Sequence, residues 1–219
     1  MRTLIVGSSG GIGEALVKRC ADDGDVVSLS RTDNGLELTD EPSIERATAS
    51  LEGSFERIII ATGILAPNEG RPEKRLADVR QDALSELFAI NAAGPILILK
   101  HLISRLPKEK ASRIAVLSAR VGSIGDNGIG GWYAYRASKA ALNQLVRTAA
   151  IELSRTHRKA VLVALHPGTV ATAFTADYQG RHKTVAPEVA AENLLRVLDG
   201  LEPSATGSFL DQNGDVVVW

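Results

Sequence analysis

The chain has 219 residues, and its 25 Lys and Arg against 26 Asp and Glu leave a formal net charge of −1. This length predicts one domain that folds without staples, and a balanced charge weighs against a dedicated nucleic-acid binder, which carries a basic face. A single cysteine, Cys20, excludes an internal disulfide framework and fits a reducing compartment.

In chain order, Thr3–Val6 reads as a short buried strand, and Ile12, Ala15, Leu16 and Cys20 then recur at helical spacing. Val26–Leu29 is a second strand. Leu36 and Leu38 alternate as a third, with little room for a helix between Arg31 and Leu36. Pro42 opens a helix running to about Leu51. Arg57–Ala61, carrying Ile58-Ile59-Ile60, is a fully buried strand. Arg71–Arg75, with Glu73 and Lys74, reads as a solvated loop. A long helical pattern spans Leu76–Leu106, interrupted by Gly94-Pro95. Ile114–Leu117 is a strand, and glycines 122, 125, 128, 130 and 131 make 119–131 a loop. Trp132–Thr156 reads as a long helix, Ala160–Leu165 as a strand, Pro187–Leu198 as a helix and Ser208–Leu210 as a last short strand. Ala171–Lys183, with Phe174 and Tyr178, is a candidate lid over a substrate.

The N-terminal apolar run is too short for a secretory signal, and runs such as Pro95–Leu99 fall far short of a membrane span. Cys20 belongs to the core side of the first helix. His101, His157, His166 and His182 lack metal-ligand spacing, so no metal site is expected. Continuous apolar strands alternating with helices predict an α/β fold, a doubly wound parallel sheet covered on both faces, as one domain over 1–219.

Between the first strand and first helix lies Gly7-Ser8-Ser9-Gly10-Gly11-Ile12-Gly13. Such a turn brings backbone N–H groups and a helix N-terminus to a pyrophosphate. The spacing differs from the common G-x-G-x-x-G fingerprint. The same residues also fit G-x-S-x-G, which would make Ser9 a hydrolase nucleophile with His166 as its partner. However, only six residues precede Gly7, which leaves no upstream loop to supply an oxyanion donor.

Tyr135 and Lys139 are four apart on one face of the long helix. A tyrosine pKa near 10 is too high for acid–base work at neutral pH, and lowering it by ~3 units needs about 4 kcal/mol. An ammonium at ~4 Å in an effective dielectric near 20 supplies about that much. Ser118 follows a buried strand and can face the same crevice. Asn91 lies four residues before Pro95, whose missing N–H leaves the Asn91 carbonyl able to hold a water.

Taken together, Gly7-x-x-x-Gly11-Ile12-Gly13, Asn91, Ser118, Tyr135-x-x-x-Lys139 and His166-Pro167-Gly168-Thr169-Val170 resemble the short-chain dehydrogenase/reductase family over nearly the whole chain. The ending Phe209–Trp219 is similar to its C-factor-type branch. The resemblance implies a Rossmann-type three-layer fold and hydride transfer between a nicotinamide cofactor and a small carbonyl or alcohol. Tyr135 would be the general acid/base, and Lys139 would lower its pKa and hold the nicotinamide ribose. Ser118 would hold the substrate oxygen, and Asn91 would position a relay water. The cofactor would lie along Gly7, Ser9, Gly10, Gly11, Ile12, Gly13, Ser30, Arg31, Glu37, Leu38, Ala61, Thr62, Gly63, Tyr135, Lys139, Pro167, Gly168, Val170 and Thr172. The family pattern also implies a homodimer or homotetramer, while the single cysteine and the short apolar runs lead to the expectation of a cytoplasmic protein.

The chain departs from that pattern at Val6, where Thr is usual, and at Ile60-Ala61-Thr62-Gly63, where Asn-Asn-Ala-Gly is usual. Neutral Ser30 followed by Arg31 at the end of the second strand favours NADP(H) over NAD(H), because a guanidinium can pair with a 2′-phosphate. Asp33, about 20 residues after Gly13, and a glycine turn without a basic residue pull the other way. A dinucleotide-binding sensor with little turnover is the alternative on the same fold.

Overall fold

The computed structural model describes residues 1–67, 70–178 and 184–219. Six strands form one parallel sheet in the order β2-β1-β3-β4-β5-β6. They are β1 (Arg2–Val6), β2 (Asp25–Leu29), β3 (Arg57–Ile60), β4 (Ser112–Leu117), β5 (Ala160–Leu165) and β6 (Phe209–Leu210). The order reverses beside β1, which opens a crevice at the carboxyl ends of β1 and β3, the place where such sheets bind ligands.

Alternation along each strand divides the core. Leu4, Val6, Ile58, Ile60, Ile114, Val116, Leu162 and Ala164 face one layer of helices. Ile5, Ile59, Ala115, Leu117, Val161, Val163 and Leu165 face the other. The first layer holds α3 (Glu41–Ala49), α5 (Gly94–Leu102) and α6 (Tyr133–Thr156). The second holds α1 (Gly11–Ala21), with Cys20 in the core, packed on α7 (Pro187–Asp199). Strands buried on both sides explain why the sequence shows continuous apolar runs rather than alternation.

Three expectations need correction. Leu36 and Leu38 form no strand. A one-turn helix, α2 (Arg31–Asn34), fits after β2, with the Ser30 hydroxyl accepting from the Asp33 N–H. The Glu37 N–H then donates to Ser43 Oγ at 3.0 Å, so this backbone bonds a helix side chain instead of a sheet neighbour, while Leu36 is buried in the core and Leu38 packs half-buried against it. Second, Pro72 and Glu73 of the expected solvated loop are buried.

Third, the long helical pattern begins later. A short 3-10 turn, Leu76–Asp78, precedes α4 (Gln81–Phe88). A π-helical turn, Ala89–Ala93, then leads into α5 at Gly94-Pro95. The apolar helical stretch Gln81–Arg105 has the length and composition of a membrane span. Here its apolar residues Ile98, Leu99 and Leu102 pack into the sheet core. Of the candidate lid, 171–178 falls within the described residues, with a 3-10 helix over Ala173–Tyr178. The side chain of Tyr178, residues 179–183 and His182 among them lie outside the described part.

Candidate active site

The residues singled out by sequence cluster at the carboxyl ends of five strands: Gly7 after β1, Ser30 after β2, Ala61-Thr62-Gly63 after β3, Ser118 after β4 and His166-Pro167-Gly168 after β5. At Gly7, φ is +89°, and a Cβ there would stand 2.9 Å from the Ala61 carbonyl oxygen. At Gly13 a Cβ would stand 2.1 Å from the Gly7 carbonyl oxygen. Both positions therefore require glycine, one for its backbone angle and both for close packing.

Gly10 caps α1 in an extended conformation without a side-chain hydrogen bond. The N–H groups of the first turn thus remain available to an anion. Ser8 Oγ and Thr62 Oγ1, beside the turn, are buried without a hydrogen-bond partner. A Cβ at Gly11 would stand 2.6 Å from Thr172 Cγ2, so the segment after β5 closes over the same turn. This cradle, with two orphaned hydroxyls, fits a dinucleotide pyrophosphate.

At the end of β2 the Ser30 side chain is already engaged. Its Oγ donates to Asp33 Oδ2 at 2.7 Å and its N–H donates to Asn34 Oδ1 at 2.9 Å. Arg31 stands exposed at the start of α2. Glu37 accepts hydrogen bonds from the Thr39 N–H and hydroxyl, and these hold its carboxyl below the usual range. Half-buried Leu38 packs against Gly94, where a Cβ would stand 3.0 Å from Leu38 Cβ.

On α6, Tyr135, Lys139 and Asn143 recur every four residues as a buried stripe. Lys139 Nζ donates to the Leu117 carbonyl at 2.9 Å, and burial lowers its pKa to about 8. Burial raises the Tyr135 phenol well above its ordinary value. Protein groups alone therefore do not produce the lowered phenol pKa that the Tyr–Lys spacing suggests. Ser118 Oγ donates to Asn143 Oδ1 at 2.6 Å, and Asn143 Nδ2 donates to the Gly122 carbonyl at 3.4 Å. Asn143 thus sets the orientation of the Ser118 hydroxyl. The signal for it was the four-residue stripe extended by one more turn.

Asn91 lies inside the π-helical turn, fully buried. Its Oδ1 accepts from the Ile64 N–H and its Nδ2 donates to the Ile64 carbonyl, both at 2.8 Å. Nδ2 also reaches Ser138 Oγ at 3.1 Å, and Ser138 Oγ donates to the Tyr135 carbonyl at 2.9 Å. The Asn91 side chain therefore ties the loop after β3 to α6, in addition to any role of its carbonyl. A Cβ at Gly63 would stand 3.0 Å from Asn91 Oδ1 and 3.4 Å from Lys139 Nζ, which places the third cofactor-side residue against the catalytic candidates.

A cleft of about 340 Å³ opens beside this cluster, between Ile64–Ala66 and Gly70–Pro72 on one side and Phe174, Ala176 and Asp177 on the other. The Tyr135 ring lies 6.1 Å from the rings of both Trp132 and Phe174. Beyond the strand ends, Gly168 has φ +79° and packs toward Gln212, while Val170 is buried and bridges to Val185. Ser9 is exposed on the turn, and among the described residues no hydrogen bond joins it to His166. The His166 backbone N–H donates to the Leu210 carbonyl, and its Nδ1 is buried without a partner. That arrangement does not make a nucleophile and base.

Residues 6–210 match a family model described as enoyl-(acyl carrier protein) reductase. A 1-hydroxy-2-glutathionyl-2-methyl-3-butene dehydrogenase from Rhodococcus sp. is 30% identical over 99% of this chain and 98% of its own length. The C-signal protein of Myxococcus xanthus is 38% identical over 66% of this chain and 83% of its own. Among solved structures, a short-chain dehydrogenase/reductase from Burkholderia multivorans with bound NADP superposes with a TM-score of 0.84 at 27% identity, covering 100% of this chain and 99% of that one. An NADPH-bound carbonyl reductase from chicken fatty liver shares the fold, with a TM-score of 0.81 at 24% identity over 100% of this chain and 98% of that one. With a family model spanning nearly the whole sequence and a relative matched end to end, the chain belongs to the short-chain dehydrogenase/reductase family of oxidoreductases.

Proposed function

We propose that this enzyme interconverts a small carbonyl and the corresponding alcohol, with NADP(H) preferred over NAD(H). The observation that carries the reading is the buried Tyr135–Lys139–Asn143 stripe facing Ser118 at the mouth of the glycine cradle. The nicotinamide, when bound, supplies or accepts the hydride. Tyr135 Oη gives the proton to the substrate oxygen in the reductive direction and takes it back in the oxidative one. Burial makes the phenolate costly, so the transfer needs a cation alongside. Lys139 lies on the same buried helix face, and an ammonium has three hydrogens. One is donated to the Leu117 carbonyl; the others would hold the ribose hydroxyls of a bound cofactor, with the positive charge acting on the phenol.

Ser118, oriented by Asn143, holds the substrate oxygen as charge develops. Asn91 positions Tyr135 through Ser138. The cofactor preference rests on Arg31, exposed beside the end of β2, and on the Ser30 hydroxyl as a ligand of Asp33 Oδ2. The Burkholderia relative with bound NADP supports the same choice. We further propose a cytoplasmic homodimer or homotetramer, to be checked by sedimentation.

A screen of aldehydes and ketones, followed by the loss of reduced-nicotinamide absorbance with NADPH and NADH in parallel, tests the reading. Turnover faster with NADPH is expected. Tight NADPH binding without turnover on any carbonyl would assign the protein to dinucleotide sensing instead.

A further inference from the structure

Glu73 sits in a basic, exposed stretch, yet only 9% of it is exposed while Arg71, Lys74 and Arg75 stand in solvent. Its carbonyl oxygen accepts the Trp132 N–H at 2.5 Å, and its carboxylate Oε2 accepts the Ala134 N–H at 3.3 Å. One residue therefore grips the chain on both sides of Tyr133, at the entrance to the helix that carries Tyr135. That helix has no side-chain cap from its own cap residue, Trp132, so the oxygen comes from Glu73 instead. A carboxylate is also the group that a helix N-terminus favours.

Trp132 needs this hold. It is the one non-glycine residue with a left-handed φ among the described residues, at +54°, and it follows Gly130 at +70° and Gly131 at +66°. Such a conformation is strained for a bulky residue and persists only where its surroundings enforce it. Arg136 supplies the other half of the clamp, donating to the carbonyls of Val121, Gly130 and Gly131. The outcome is an indole set edge-on against the Tyr135 ring. Glu73 also lines a cleft with Leu65, Pro72 and Ala134. It thereby couples that cleft wall to the first turn of α6.

We infer that Glu73 is a positioning residue for the reaction. By fixing Trp132 and the start of α6, it sets the approach of Tyr135 to the carbonyl oxygen. The inference rests on the proton-donor reading of Tyr135. What matters is the reach of the side chain rather than its charge. Gln keeps the length and an acceptor oxygen, whereas Asp keeps the charge but is one methylene short.

The test uses Trp219→Phe as the parent, since the chain has two tryptophans and this change leaves Trp132 as the sole indole, excited apart from the three tyrosines. Glu73→Gln, Glu73→Asp, Glu73→Ala and Tyr135→Phe are compared in that background for NADPH Kd, kcat with the fastest carbonyl of the screen, and Trp132 emission. All Glu73 variants should bind NADPH within threefold of the parent. Glu73→Gln should keep kcat within threefold and the emission unmoved. Glu73→Asp and Glu73→Ala should lose at least tenfold in kcat and red-shift the emission.

Were Glu73→Ala not to fold, the Asp and Gln pair decides. The inference is overturned if Glu73→Ala keeps kcat within twofold, if Asp is active and Gln is not, or if Kd rises as kcat falls in every variant. Turnover retained by Tyr135→Phe would instead remove the proton-donor reading itself. An inactive Tyr135→Phe beside a fully active Glu73→Ala overturns this inference alone.

Discussion

Replacing Lys139 with Met should stabilise the cofactor-free protein at neutral pH while abolishing turnover. Lys139 is 3% exposed, and its ammonium has one resolved protein hydrogen bond, to the Leu117 carbonyl at 2.9 Å. Burial lowers its pKa from 10.5 to about 8. At about 1.4 kcal/mol per pH unit, the charged form is disfavoured by about 3 kcal/mol in the folded state. Methionine fills a similar volume without charge but deprives the Leu117 carbonyl of a donor, which costs about 1–3 kcal/mol. A net gain of up to about 2 kcal/mol remains, or up to about 8 °C in Tm for a chain of this size.

The pH dependence gives the sharper signature. Between pH 8 and 10.5 the unfolded lysine still holds its proton and the folded one has lost it, so the parent gains stability as pH rises through that window. The Met variant lacks this gain, and its advantage should shrink steadily from pH 8 to 9.5. Urea unfolding of both proteins at pH 7, 8, 9 and 9.5 measures it. A Met variant less stable than the parent at pH 7, or a difference that ignores pH, would refute the reasoning.

The acid side offers a counterpart at His166, whose pKa burial lowers to about 4, with Arg120 adding to the effect and Asp211 opposing it. The unfolded histidine protonates near 6.5 and the folded one does not, so stability should fall by up to about 3 kcal/mol as pH drops from 6.5 to 4. His166→Asn should lack that part of the acid sensitivity, and parallel unfolding curves for the two proteins over this range would count against it. Arg31→Ala should lower kcat/KM for NADPH tenfold or more, the loss of one charge-assisted pair of about 1.5–3 kcal/mol, and leave NADH within threefold. An equal loss with both cofactors, or none, would mean that the 2′-phosphate is bound elsewhere.

The parallel strands were legible because burial on both faces leaves an unbroken apolar run, as in Ile58-Ile59-Ile60. The site ladder at Tyr135 and Lys139 was legible because helix spacing alone brings those residues onto one face. Leu36–Leu38 misled because alternation cannot say whether a backbone N–H finds a strand or, as at Glu37, a serine of α3. Glu73 was illegible for another reason. Arg71, Lys74 and Arg75 around it are charged and exposed, and its partners lie some sixty residues away at a left-handed tryptophan that no local pattern announces. Likewise, spacing predicted the company of Tyr135 but not its pKa, because burial depends on the packed rings of Trp132 and Phe174.

The central claim is that the Tyr135 phenol moves the proton while the glycine cradle holds the cofactor, and Tyr135→Phe separates the two. The variant should bind NADPH within threefold of the parent, by fluorescence titration. With the fastest carbonyl of the screen, its kcat/KM should fall by at least about a thousandfold, a loss of about 4 kcal/mol of transition-state stabilisation. Turnover within about tenfold of the parent, a loss of only ~1.4 kcal/mol, would contradict the account.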